Sequence, residues 1–335
     1  MADHQSALSK TAELRPRWLL LGLAAAAIAA LWLSLDTGSA NISLSDALRS
    51  PASSDARIVW ELRLPRSLSA FVTGALLGIA GTLMQVLLRN PLADPYILGV
   101  SGGAAVGALA ALLLGAGAVL TQTSAFAGAL VSILLVFALA GARGNWVGTR
   151  LLLTGVVLAS GWGAVVSLIL VVAPAARLHG MLFWLMGDLS QAPLPVTASA
   201  VLLLIGLSSF ALSSSLNLLA GGVLHAAALG VAVARVRVSV YLMASLATAV
   251  AVTQAGSIGF VGLLAPHLLR LCGATQHRLL LPAVILLGGT LLLLADTLAR
   301  SLIAPSQLPV GSLTALLGVP LFLALLYRSR GHHDV

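Results

Sequence analysis

Apolar runs of bilayer-crossing length follow one another along almost the whole chain, and no soluble core can absorb them. Ten can be marked, at 18–35, 68–88, 96–118, 124–142, 151–173, 195–211, 238–254, 258–271, 279–298 and 309–327. A helix rising 1.5 Å per residue needs roughly 20 apolar residues to cross about 30 Å of hydrocarbon, and most of these runs meet that length. Hydrophobic residues make up 59% of the 335 and charged residues 8%, and mean hydropathy is +1.04. These values lie far from those of soluble domains. The expected fold is therefore an all-α membrane protein of about ten transmembrane helices. Residues 1–335 form one domain, with about 18–327 embedded. The run from Trp18 follows Arg15 and Arg17 as a signal peptide would, but no convincing small-residue cleavage site follows it, so it reads as the first span. The single Cys272 excludes an internal disulfide.

The formal charge of +8 would suit nucleic acid if it were clustered. It is distributed by topology instead. With both termini cytoplasmic, one side carries Lys10, Arg15, Arg17, Arg89, Arg143, Arg150, Arg235, Arg237, Arg270, Arg278, Arg328 and Arg330, which is 12 basic residues. The other carries Arg49, Arg57, Arg63, Arg66, Arg177 and Arg300, which is 6. That bias is the positive-inside pattern of a multi-pass protein of the bacterial inner membrane, and it argues for lipid and against nucleic acid as a partner.

Two segments break the pattern of simple spans. Span 258–271 is short and holds Pro266, and 174–194 is too polar to cross yet too apolar for a free loop. Both suit helices sheltered by protein, because unpaired backbone facing lipid is costly. Gly74, Gly78 and Gly81 in one span, and Gly99, Gly103 and Gly107 in the next, let helices approach closely. "RLPRSL" at 63 and "RVRVSV" at 235 each open a block of four spans. Five spans separate them, so the blocks face opposite ways, as in an inverted internal repeat.

Enzyme chemistry finds little support. A phosphate-cradling GxxxxGK[ST] loop requires a lysine, and Lys10 is the only one. There is no HExxH pair, and Glu13 and Glu61 are the only glutamates. Ion-coupled transport would call for charges within the spans, which are nearly free of them.

The stretch from "RLPRSLSAFVTGALLGIAGTLMQVLLRNPLADPYILGVSGG" onward, then "GSIGFVGLLAPHLLRLCGATQHRLLLP", "LLLADTLAR" and "LPVGSLTALLGVPLFLALLYRSRG", appear in order between about 56 and 330. They resemble the permease family that imports iron-siderophore complexes, haem and vitamin B12 as the membrane half of ATP-binding cassette importers. The resemblance implies a homodimeric transmembrane permease that is not itself an enzyme. A second copy of the chain, two cytoplasmic ATPase subunits and a periplasmic substrate-binding protein would be its partners. ATP and Mg would be used by the ATPase, with no cofactor or metal bound by this chain. An iron complex, haem or a ferric siderophore, is the expected ligand, with vitamin B12 as the alternative.

Site residues follow by motif position. Arg63, Arg66 and Arg300 match arginines that meet acidic residues of the binding protein, although interfacial arginines, with Asp296 and Arg300 as an i,i+4 pair, are the plainer alternative. Asn90 and Leu92 of "RNPLADP", with Gly148 and Thr149 of "GNWVGTRLLL", match a cytoplasmic gate. The stretch 216–237 matches a coupling loop of two short helices seated on the ATPase, through Gly222, His225, Ala226, Leu229, Gly230 and Arg235. An acidic residue usually follows the glycine matched by Gly222, whereas Val223, Leu224 and His225 follow it here. His267 reads as packing, and His179 lacks a partner at metal-ligand spacing.

Overall fold

The computed structural model describes residues 16–38, 44–50, 53–141, 148–190 and 192–330. Among these all regular secondary structure is helical. The helices are α1 (Pro16–Asp36), α2 (Leu44–Arg49), α3 (Ser54–Arg57), α4 (Leu64–Leu88), α5 (Val100–Leu113), α6 (Ala118–Gly141), α7 (Gly148–Val172), α8 (Ala175–Met186), α9 (Val196–Ala211), α10 (Ser213–Gly221), α11 (Val223–Ala228), α12 (Val233–Ala255), α13 (Val261–Leu271), α14 (His277–Ser301) and α15 (Val310–Arg330). Six stretches are long and apolar enough to cross a membrane, α9 and α10 meet at 63° and pass that test only when taken together, and three shorter apolar helices accompany them. The expected all-helical membrane fold is seen, with six or seven apolar segments reaching crossing length among the described residues.

Boundaries differ most at the third span, expected over 96–118 and helical only over Val100–Leu113. Asp94 explains the late start. Its Oδ1 accepts from Tyr96 N at 2.8 Å, capping a 3₁₀ turn over Pro95–Leu98. Gly99 then adopts φ 70°, a left-handed conformation that costs glycine little. Segment 174–194, expected to be a sheltered helix, holds the short helix α8, of which only Met181 is buried. Protein shelters its ends. Arg177 donates to Leu113 O at the end of α5, and Val310 N donates to Gly187 O at 3.0 Å.

The helix α4 lies at the centre, buried over nearly its whole length. Its glycines explain how. A β-carbon at Gly74 would overlap Gly288 O of α14, one at Gly78 would come within 2.8 Å of Val284 Cγ1, and one at Gly81 would overlap Gly262 O of α13. Helices in lipid gain little from the hydrophobic effect, so contact at backbone range is what holds them together. The pair α5 and α6 meets in the same way, through Gly103, Gly107 and Gly128.

The inverted repeat is visible in the packing. The block α4 to α7 runs 25, 14, 24 and 25 residues. The block α12 to α15 runs 23, 11, 25 and 21. In each, a long helix is followed by a break and a short helix, and the residue before the short helix is left-handed: Gly99 at φ 70° and Phe260 at φ 69°. Contacts correspond as well, since α4 packs on α13 and α14 while α12 packs on α5 and α6. The two breaks touch. Tyr96 Oη accepts from Ile258 N at 3.0 Å, and Ser101 and Ser257 hydroxyls are hydrogen-bonded.

Candidate functional site

The helices α4 and α14 run antiparallel, Gly74 facing Gly288 and Arg66 facing Asp296. The bundle therefore has one end bearing the arginines and an opposite end where α4 finishes and α14 begins. All the candidate residues lie at these two ends.

At the arginine end, Arg63, Arg66 and Arg300 line one pocket of about 430 Å³, together with Glu61, Ser190 and Gln307. Asp296, wholly buried, organises them. Arg66 Nε donates to both its carboxylate oxygens at 3.1 and 3.0 Å, and Nη2 donates to Oδ1 at 2.8 Å. Arg66 Nη1 reaches Gln307 Oε1 at 2.9 Å. Arg300 Nε lies 3.9 Å from Asp296 Oδ2, and its Nη2 donates to Ser34 O and, at 2.6 Å, to Ser34 Oγ. Arg63 Nη1 donates to Leu35 O at 2.7 Å and Asp36 O at 2.9 Å. The i,i+4 spacing thus points to the weaker contact. Asp296 is committed to Arg66, 230 residues away in sequence, while the C-terminal carbonyls of α1, at the negative end of its dipole, receive the other two cations. Nothing in the motifs signalled Ser34. Three guanidinium groups against the carboxylates of Asp296 and Glu61 leave this pocket with a small excess of positive charge.

At the opposite end, α4 terminates at Arg89, left-handed at φ 51°, and Asn90 N returns to Gln85 O at 3.1 Å. Asn90 Oδ1 accepts from Leu92 N at 2.9 Å, so the asparagine closes the turn locally. In this turn, desolvation pushes the Asp94 carboxyl up to about 6, opposed by its hydrogen bond from the Tyr96 backbone. Gly148 opens α7 beside Leu88, a β-carbon there lying 3.8 Å from Leu88 Cα. The four gate candidates therefore share one end of the bundle. Leu92 and Thr149 are exposed, whereas Asn90 and Gly148 are half-buried. Residues 144–147 of the "GNWVGTRLLL" motif fall outside the described residues.

The expected coupling stretch 216–237 covers most of α10, all of α11 and the first turn of α12, where Arg235 lies exposed. Gly222, at φ 140°, joins the two short helices with backbone angles that a side chain would strain. Leu216, Leu219 and Ala226 are buried against the bundle, while His225, Leu229 and Gly230 are exposed and Leu224 is 86% exposed. This is a short two-helix shelf whose outer face exposes Leu224 and Leu229 beside His225. Of the histidines, His267 packs edge-on against Phe322 at 5.3 Å between ring centroids, and His179 packs against Phe183 at 4.6 Å.

Residues 26–328 match the model of the FecCD transport family. The chain belongs to that family. It is the permease subunit of an ABC importer, a multi-pass membrane protein. It is 40% identical over 322 residues, covering 94% of this chain and 96% of the relative, to the vitamin B12 import system permease protein BtuC of Shigella boydii serotype 18. The BtuC permease of Salmonella typhi is likewise 40% identical over 321 residues, covering 93% of this chain and 95% of that one. Among solved structures, an inward-facing conformation of a metal-chelate type ABC transporter superposes with a TM-score of 0.83 at 34% identity, covering 93% of this chain and 99% of that one. PsaBC from Streptococcus pneumoniae in complex with Fab shares the fold at a TM-score of 0.55 and 17% identity, over 84% of this chain and 94% of its own.

Proposed function

We propose that two copies of this permease form the membrane path of an importer for vitamin B12, received from a periplasmic binding protein and driven by two cytoplasmic ATPase subunits that use ATP and Mg. The observation that carries the substrate is the 40% identity to vitamin B12 permeases across 94% of the chain. An iron complex, haem or a ferric siderophore, is the second reading. The metal-chelate type transporter of similar structure favours it. Both termini lie in the cytoplasm on this reading, so the arginine pocket faces the binding protein and the α10–α11 shelf faces the ATPase. A cationic pocket steers and registers an acidic soluble partner. The exposed Leu224 and Leu229 suit a hydrophobic groove on the ATPase better than water.

A second copy is favoured by α7. Only Leu151 and Gly155 of this helix are buried, yet it carries Gly161 and Gly163 with open space around them, and Ser160 and Ser167 whose hydroxyls turn back onto their own helix at Val156 O and Gly163 O. Small residues and internally satisfied hydroxyls give a smooth wall along which a bulky ligand passes without sticking. A helix facing only lipid has no need of it.

The test is reconstitution of the permease with its ATPase and binding protein in vesicles. Vitamin B12 uptake should require ATP on the ATPase side and should resist competition by excess haem or ferric siderophore. Uptake driven by an ion gradient without nucleotide would reject the importer reading, and preference for an iron complex would select the second ligand. In the same vesicles Thr149→Trp, which puts bulk at the gate end, should slow uptake about tenfold, the effect of about 1.4 kcal/mol on the barrier, with the complex still assembled. Unchanged uptake would remove Thr149 from the gate.

A further inference from the structure

The shelf is fastened to the bundle at a polar junction between His277, which lies in one of the quoted motifs, and Asn217, which lies in none. Asn217, in the middle of α10, presents its Oδ1 to the first residue of α14. It accepts from His277 N at 3.0 Å and lies 2.6 Å from His277 Nδ1. An amide oxygen that accepts both bonds fixes His277 as the Nδ1–H tautomer. The ring is buried, and its Nε2 has no hydrogen-bond partner among the described residues. Asn217 thus serves as a side-chain cap for α14 supplied from another helix: Gln276, at the position before the helix, makes no side-chain cap of its own.

What α14 connects gives this junction its meaning. The helix is 25 residues long, about 37 Å at 1.5 Å per residue. Its first residue is held by the shelf. Its middle is locked to α4 at backbone range through Gly74 and Gly288, and its last turns carry Asp296 and Arg300. Helices packed at backbone range shift as a unit more readily than they slide. A displacement of α10 applied at His277 therefore reaches the arginine pocket along one continuous element, and α4 carries it to the turn at Asn90.

We propose that Asn217 is a positioning residue of the transport cycle, the point at which movement of the α10–α11 shelf is passed to α14. This rests on the shelf being the seat of the ATPase. It adds that, beside the apolar packing of Leu216 and Leu219, a hydrogen-bonded asparagine sets the position of α14 relative to the shelf.

The experiment uses the complete complex in vesicles and reads two quantities separately: ATPase subunits retained, and ligand taken up per ATP hydrolysed. Asn217→Ala should keep the ATPase bound and hydrolysing while uptake per ATP falls about tenfold, within the range of a coupling between two sites. Asn217→Asp, which can still accept both bonds, should recover most of it, and Ser214→Ala, on the exposed face of α10, should have no effect. A fall in folded protein alone does not change uptake per ATP, so an ordinary stability defect is told apart. In a Cys272→Ser background, N217C combined with H277C should be uncoupled, and bridging the two thiols with a short bifunctional reagent should restore uptake. Wild-type uptake per ATP in Asn217→Ala, loss of the ATPase from it, or a bridged pair that stays uncoupled would each overturn the proposal. The underlying reading fails by a different result: Leu224→Glu leaving ATPase binding unchanged.

Discussion

Asp296→Ala should leave the permease several kcal/mol less stable, the largest effect expected of any charge change in the chain. The carboxylate is fully buried and holds Arg66 through both oxygens, with Arg300 beside it. Removing one member of a buried ion pair typically costs about 3–5 kcal/mol, because the partner is left desolvated and unpaired. Here two guanidinium groups would be left facing one another. Thermal melting in detergent or nanodiscs measures the loss. Asp296→Asn, which keeps the volume and one acceptor, should fall between alanine and wild type, and combining it with Arg66→Gln should recover part of the loss by removing the orphaned cation. If Asp296→Ala melts with the wild type, the arginines are held by the carbonyls of α1 and by Gln307 alone, and the carboxylate is dispensable.

The spans were readable because hydropathy along a membrane chain reports a one-dimensional property, and each apolar run became helix, although α6 begins six residues and α12 five residues before the expected start and the third span is shortened at both ends. That shortening has a local cause. Apolar residues continue on both sides of α5, but Asp94, Gly99 and Gly115 impose turn geometry that hydropathy does not register. The repeat was legible only as an echo in two arginine motifs. What makes it concrete, Phe260 in the same left-handed conformation as Gly99, is invisible in composition, because phenylalanine gives no hint of a positive φ. The arginines were found by motif, yet their partners were not. Local spacing offered Asp296 to Arg300, whereas the fold gives it to Arg66 from the far end of the sequence. Asn217 was missed for a similar reason: a lone polar residue in a short helix carries no pattern, and its importance comes from a partner sixty residues on.

Gly81→Leu should prevent the native packing of α4, while Gly161→Leu should be tolerated, although both replace a glycine within an apolar span. The difference is what stands opposite. At Gly81 even a β-carbon would overlap the carbonyl oxygen of Gly262, and neither backbone can yield without parting α4 from α13. At Gly161 there is nothing within 4 Å. Overpacking a close contact costs about 1–3 kcal/mol when side chains can rearrange, and more when backbone is the obstacle. Parting these helices also disturbs the junction of the two repeats, since Gly262 is itself packed against Leu77 and Pro95. Gly81→Leu should therefore lower the yield of monodisperse protein and its melting temperature, with Gly81→Ala milder in the same direction. Gly161→Leu should melt as the wild type and, if α7 faces the path between two copies, lose uptake instead. Equal stability of all three variants would mean that α4 and α13 do not meet at backbone range, and the central role of α4 would fall with that contact.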